Sequence, residues 1–494
     1  METLYHSTRG ANEVVTSKQA ILTGIAPDGG LYVSDQLGET KVDLARIASQ
    51  DYHATARDVL GTLLSDYTAD EVASCVEGAY GTNFDSPAVT PLTPLGTDWL
   101  LELYHGPTCA FKDVALQMLP RLMSVAREDR GQNIMIVTAT SGDTGKAALE
   151  GFADVPGTGV TVFYPDGKVS DIQHLQMVCQ RGANVAVAGI RGNFDDAQTQ
   201  VKRIFADTEL GSRLAASGTV LSSANSINVG RLVPQVTYYM DAYAQLVKRG
   251  AIRLGEPVDF CVPTGNFGDV LAGYYAKQLG LPVGKLIVAS NTNKVLTDFI
   301  ETGTYDRRRD FVKTISPSMD ILISSNLERL LYYLTDGDCE RVAAWMAELS
   351  ETGVYTLPAD VMFRMRETFA CGFATDDDTR DTIASVWKDL GILIDPHTAV
   401  GACVANRRES EGRQRVCLST ANPYKFSADV LAALGTDTTG MDGFACMDAL
   451  QKLTGVEAPA QLAGLRTAPV LHPDVCDQDE MSGFVEAACQ RVFA

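Results

Sequence analysis

Basic residues are what this chain is short of. Against 62 aspartates and glutamates it carries 41 lysines and arginines, for a formal net charge of −21 and a pI near 4.7. Such a field repels nucleic acid and anionic membranes, so neither is an expected partner. An anionic small molecule would have to be held by a local cationic pocket working against that field. Long apolar runs are missing too: no stretch approaches the roughly 18 consecutive apolar residues that a membrane helix needs. The opening residues Met1 to Gly10 lack the basic-then-apolar pattern of a secretory signal, which leaves the cytoplasm as the expected location. No two of the 11 cysteines form a C-x-x-C pair, and the 6 histidines contain no H-E-x-x-H. A structural zinc site, a redox pair and a metal hydrolase are therefore not expected, and no metal is.

What is present is an ordinary globular composition, 45% hydrophobic and 21% charged, over 494 residues. That length predicts more than one domain, about three as a soft prior. Short apolar runs recur, each followed by a Gly/Ser/Asn turn and then a helical pattern. Asn133 to Thr140 runs into Ser141-Gly142-Asp143-Thr144-Gly145; Gly159 to Pro165 and Asn184 to Val187 follow. Val258 to Pro263 leads into Thr264-Gly265-Asn266-Phe267-Gly268-Asp269, and Lys285 to Ser290 closes that unit. Strands without polar alternation, separated by helices, predict an α/β fold with mostly parallel sheets covered by helices on both faces. Ligands of such sheets sit at the carboxyl ends of the strands, where these turns fall. Residues 1–95, mixed helix and loop, read as a separate N-terminal domain ending near Pro91-Leu92-Thr93-Pro94. Residues about 320–390 read as a helical, charge-rich insertion with Asp376-Asp377-Asp378 as a loop, and 431–494 as a helical segment without site chemistry.

Five segments carry polar groups suited to chemistry. Lys112, in His105-Gly106-Pro107-Thr108-Cys109-Ala110-Phe111-Lys112-Asp113, follows small turn-forming residues and precedes the apolar Val114, Leu116, Met118 and Leu119. It is expected at a loop-to-helix junction, although on local context alone a solvated surface lysine is the more ordinary reading. Ser141, Asp143 and Thr144 open a helix after a strand, which suits a carboxylate or phosphate as readily as it suits plain N-capping. Gly265, Asn266, Phe267, Gly268 and Asp269 repeat that arrangement; the spacing is neither a Walker A loop nor a dinucleotide fingerprint, and alone it is equally a tight turn. Asn225, Ser226 and Arg231 concentrate polar groups with an arginine, either an anion clamp or a structural turn. Thr420, in Leu418 to Phe426, places a hydroxyl at a strand end, where most such groups merely satisfy backbone.

Taken together and in this order, these segments resemble the threonine synthase family, a branch of the fold type II pyridoxal-phosphate enzymes. The opening Tyr5-His6-Ser7-Thr8-Arg9-Gly10, the stretch Gly24 to Val33 and the highly specific H-G-P-T-x-A-F-K-D carry the likeness, which runs to about Phe426. The resemblance implies two fold type II domains plus the N-terminal one: a large pyridoxal-phosphate-binding domain from 96–131 and 237–430, and a small one from 132–236. It implies pyridoxal 5'-phosphate as cofactor, with Lys112 forming the Schiff base and shuttling protons. Gly265, Asn266, Phe267, Gly268 and Asp269 would line its phosphate site. Thr420 would face the pyridine nitrogen, and Asp143, where many relatives have Asn, the phenolic oxygen. Ser141 and Thr144 would hold the substrate carboxylate; Asn225, Ser226 and Arg231 its phosphate. The implied reaction turns O-phospho-L-homoserine and water into L-threonine and phosphate, in a monomer. The same residues would also serve a phospholyase releasing 2-oxobutanoate, ammonia and phosphate.

Overall fold

The computed structural model describes residues 3–128, 130–140 and 142–494. Two sheets organise it. Val258–Pro263 and Val283–Ser290 are mostly apolar, broken only by Asp259 and by Lys285 and Ser290, and most of their residues are buried, so they take interior positions. The larger sheet runs in the order Phe369–Phe373, Val283–Ser290, Val258–Pro263, Gln414–Ser419, Asp98–Glu102, Leu92–Leu95. Its first five strands are parallel, and the last pair is antiparallel. The smaller sheet, Val475–Cys476, Val185–Ile190, Thr158–Pro165, Asn133–Ala139, Thr219–Ser222, is parallel throughout. This is the helix-covered parallel architecture expected. No described helix is long and apolar enough to cross a membrane.

Helix Val229–Lys248 is buried over most of its length and packs on helices Lys112–Glu128, Gly268–Gln278 and Tyr52–Leu63. It ties the N-terminal domain to both sheets. That domain also holds a small antiparallel sheet of Leu4–Ser7, Val15–Thr16 and Tyr32–Val33, whose strands are too short for any periodicity to reveal.

Several expectations are corrected. The boundary at 95 falls between Leu92–Leu95 and Asp98–Glu102, which pair as a hairpin in the large sheet. The boundary at 236 falls inside helix Val229–Lys248. Asp376-Asp377-Asp378 is no loop but the first turn of helix Asp376–Leu390. Thr375 caps it in a reciprocal box with Asp378, and three acidic groups complement the positive end of the helix. The insertion at 320–390 is not wholly helical, since Phe369–Phe373 is an edge strand of the large sheet. The C-terminal segment likewise adds Val475–Cys476 to the small sheet.

One buried ion pair ties neighbouring strands of the large sheet: Arg415 donates through Nε and Nη2 to Asp98 Oδ2 at 2.9 and 2.6 Å. Removing one partner strands the other charge in the interior. Asp98→Ala is therefore expected to cost about 3–5 kcal/mol, read as a lower urea midpoint. A midpoint within error of the parent would show that Arg415 finds water instead.

Candidate active site

Lys112 is the first residue of helix Lys112–Glu128, at the junction that the sequence suggested. The loop before it is fastened on two sides. Asp113 turns back and accepts from the Thr108 backbone N–H at 2.8 Å and hydroxyl at 2.7 Å. Burial raises the Asp113 carboxyl to about 6. Gly106 is required there, because a Cβ on it would come within 2.4 Å of the Asp113 Cβ. On the other side the Phe111 N–H donates to Thr420 O at 2.8 Å and the Asn422 N–H to Cys109 O at 3.0 Å. The lysine loop and the strand end carrying Thr420 are thus zipped together. Cys109, at φ 59°, adopts the left-handed conformation that this path demands.

The lysine sits in a charged but largely dry setting. Its side chain is 12% exposed, with Nζ 3.6 Å from Asp143 Oδ2 and 3.5 Å from Ser318 Oγ. Burial depresses its pKa, with Lys425 and Arg231 pushing the same way and Asp143 opposing them. A second lysine explains the carboxylate. Lys425, 1% exposed, pairs with Asp143 Oδ1 at 2.8 Å and donates to Thr108 O at 2.7 Å. Burial alone would raise Asp143, but Lys425 and Lys112 outweigh it and hold the carboxyl well below its usual range. Asp143 is therefore a fixed anion between two lysines, one bound structurally and one left poised. The sign of a test follows: deleting Lys425 removes a depressing charge and frees Asp143 to stabilise the Lys112 ammonium. In cofactor-free protein, Lys425→Met is expected to move the pH midpoint for acylation of Lys112 upward. A midpoint that stays put or falls contradicts this account.

Two turns open helices without a side-chain cap. After strand Val258–Pro263, Phe267 takes the left-handed conformation at φ 64° and helix Gly268–Gln278 begins without a side-chain cap. Its first-turn N–H groups are thus open to an acceptor. Gly265 cannot be larger, since a Cβ there would lie 2.6 Å from Ser318 O. Asn266 is exposed, while Asp269 points its carboxyl away into the core, accepting from Tyr238 at 2.6 Å and Tyr239 at 2.9 Å. Burial raises that carboxyl to about 6, and what Asp269 offers the turn is its backbone N–H. In the small domain, Asp143 and half-buried Thr144 open helix Asp143–Phe152, whose N-cap Gly142 has no side chain to cap with. Ser141 lies outside the described residues.

Arg231 is 4% exposed on helix Val229–Lys248. Nη1 donates to Ala224 O at 3.0 Å, while Nε is buried with no hydrogen-bond partner among the described residues. Nor does any described carboxylate pair with it; burial lowers its pKa to about 10. Asn225 is exposed and Ser226 half-buried on the loop before it.

Sequence reasoning missed Lys425, Ser318, Asn326 and the pair Asp395–His397. His397 donates from Nδ1 to Asp395 Oδ1 at 2.7 Å and accepts the Ser318 N–H on Nε2 at 3.1 Å, steadying the segment beside Lys112. A lysine inside the otherwise apolar Tyr424-Lys425-Phe426 was the one available signal for Lys425.

A poised lysine at a loop-to-helix junction, an uncapped helix under a left-handed turn, and a hydroxyl-bearing residue whose backbone is zipped to the lysine loop fit pyridoxal phosphate. Its aldehyde would meet Lys112, its phosphate the Gly265–Gly268 turn and its ring nitrogen Thr420. Fold and site together define a pyridoxal-phosphate-dependent enzyme, and residues 85–360 match the family described as "Pyridoxal-phosphate dependent enzyme". Flanking matches are to "Threonine synthase N terminus" over residues 4–80 and "Threonine synthase, C-terminal" over 398–471, the latter reaching past Phe426. The chain belongs to the threonine synthase family. Threonine synthase of Pseudomonas aeruginosa is 40% identical over 85% of this chain and 88% of its own. The human protein called threonine synthase-like 1 is 39% identical over 84% of this chain, which spans only 58% of that relative's length. The crystal structure of PLP-bound threonine synthase from Brucella melitensis superposes with a TM-score of 0.88, 38% identity and full coverage of both chains. The yeast threonine synthase structure gives 0.87 at 31% identity, covering 99% of this chain and 98% of that one.

Proposed function

We propose that this chain converts O-phospho-L-homoserine and water into L-threonine and phosphate. The observation that carries the reading is Arg231, a buried guanidinium with no anionic partner among the described residues. An unpaired charge in the interior costs several kcal/mol, so an arginine kept there fits a ligand that brings the missing anion. The substrate's phosphate is such an anion, and its charge grows as the C–O bond breaks. Arg231 would then bind the leaving group more strongly in the transition state than in the ground state.

The remaining residues divide the work by place. Bound pyridoxal phosphate supplies a conjugated electron sink for the substrate's α-carbon. Lys112 Nζ, depressed by burial, is placed to take a proton from carbon and return it. Asp143, an anion paired with Lys425, keeps the lysine oriented without quenching it. Thr144 and the terminus of its helix hold the substrate carboxylate, in the role sequence likeness gave to Ser141 as well. Asn225 and Ser226 complete the phosphate pocket with Arg231. A hydroxyl at Thr420, rather than a carboxylate, would leave the ring nitrogen of a bound pyridoxal phosphate without an acid to protonate it. All eleven cysteines are unpaired thiols, which goes with the cytoplasm as the place of work.

The test is to incubate purified, cofactor-loaded protein with O-phospho-L-homoserine and score both products. Threonine and phosphate in equal amounts are expected. Phosphate accompanied by 2-oxobutanoate and ammonia, without threonine, would show a phospholyase.

A further inference from the structure

The reaction as described makes no use of the N-terminal domain, although Tyr5 to Gly10 and Gly24 to Val33 carry part of the family likeness. We propose that this domain positions the two anion-binding loops through a single buried joint, Asn326. The proposal deepens the preceding section and rests on its reading of the Gly265–Gly268 turn as a phosphate site.

Asn326 has no solvent exposure (0%) and lies between the two loops. Its Nδ2 donates to Asn266 O in the cofactor-phosphate turn at 3.0 Å and to Ser226 O in the loop leading to Arg231 at 3.2 Å. Its own backbone N–H reaches the same Asn266 O at 3.1 Å. The Ser324 hydroxyl secures Gly265 O at 2.7 Å. Peptide units are planar and trans, so pinning a carbonyl aims the following N–H the opposite way. Fixing Gly265 O and Asn266 O thereby fixes the N–H directions of Asn266 and Phe267. It also over-determines the left-handed Phe267, a conformation that persists only under such constraint.

The joint is clamped from behind. Arg329, also at 0% exposure, donates Nη1 to Asn326 Oδ1, which dictates that Nδ2 faces the loops. Its Nη2 holds Ile227 O at 2.6 Å and its Nε holds Tyr32 O at 2.9 Å, on a strand of the N-terminal domain. The adjacent Glu328 accepts Arg9 Nε and Nη2 at 2.9 and 2.8 Å, together with the Thr8 hydroxyl. Thr8, Arg9 and Tyr32 therefore grip two consecutive residues of helix Leu327–Leu334, and Asn326 passes that grip to both loops. Ser226 and Asn266 stand forty residues apart in sequence at the ends of different sheets. One amide sets the distance between the anions they help to bind.

Asn326→Ala removes the joint, and Arg9→Met loosens the clamp at a partly exposed position that reaches it through Glu328. Each full-length variant, freed of cofactor, is titrated with pyridoxal phosphate and with pyridoxal, which lacks the phosphate. Asn326→Ala is expected to weaken pyridoxal phosphate binding about 10- to 100-fold while pyridoxal stays within about twofold. Arg9→Met is expected to act in the same direction by about threefold to tenfold. With saturating cofactor, both should raise KM for O-phospho-L-homoserine more than they lower kcat, because the second loop is displaced as well. If Asn326→Ala does not fold, the Arg9→Met titrations decide. Equal loss of both aldehydes, loss at one loop alone, or no loss in either variant overturns the joint. A parent chain that binds the two aldehydes alike sinks the reading of the turn on which it rests.

Discussion

Lys112→Ala is expected to lose at least about 10³-fold in turnover while keeping its secondary structure and solubility. The expectation follows from what surrounds the amine. Its loop is held by Asp113 on one side and by the Thr420 strand end on the other, so the backbone path does not depend on the lysine side chain. Among the described residues Nζ makes weak contacts to Asp143 at 3.6 Å, to Ser318 at 3.5 Å and over the Phe111 ring at 4.9 Å from its centroid, none strong enough to secure the fold. Removing a buried amine whose pKa burial already depresses should leave stability unchanged or slightly improved. The variant should bind pyridoxal phosphate reversibly through the phosphate turn. Borohydride treatment should fix no cofactor mass onto the peptide containing position 112, whereas the parent should carry it there. Turnover retained near the parent level, or label found on Lys425, would remove Lys112 from the centre of the chemistry.

Arg231→Met is expected to separate function from stability. Against O-phospho-L-homoserine, kcat/KM should fall about 10²- to 10³-fold, the range for losing a charged donor from a developing anion. Cofactor affinity should hold within about twofold, since the pyridoxal phosphate turn lies on another loop. Without substrate, the variant should be as stable as the parent or more so, because it replaces an unpaired buried charge with an apolar side chain of similar reach. Inorganic phosphate should therefore raise the Tm of the cofactor-loaded parent but not of the variant. Equal losses of cofactor and substrate binding would mean that Arg231 serves the wrong anion in this account. A large drop in stability would mean that its bond to Ala224 O secures the fold.

The inner strands were legible because parallel strands buried on both faces are written as continuous apolar runs; Val258–Pro263 matches its sequence reading residue for residue. The N-terminal sheet was not, because two- and four-residue strands cannot display a period. Asp376-Asp377-Asp378 misled for a physical reason: local acidity reads as solvated loop, yet behind a Thr375 cap the same charges favour a helix start. At the site, residues inside distinctive turns could be singled out, and Lys112 stood out only once the other four segments were read with it. Lys425, Asn326 and the Asp395–His397 pair could not be found that way. Their meaning lies in partners such as Thr108, Ser226 and Ser318, which no local pattern links to them. Phe267 and Cys109, non-glycine residues in the left-handed region, are likewise visible only in the backbone.

The most direct test of the central claim is to run the reaction in ¹⁸O-labelled water and weigh both products. If the γ-phosphate leaves by cleavage of the carbon–oxygen bond and water then adds at the β-carbon, threonine should carry one ¹⁸O in its hydroxyl and the phosphate released should carry none. Labelled phosphate with homoserine, or unlabelled phosphate with 2-oxobutanoate in place of threonine, would contradict the account.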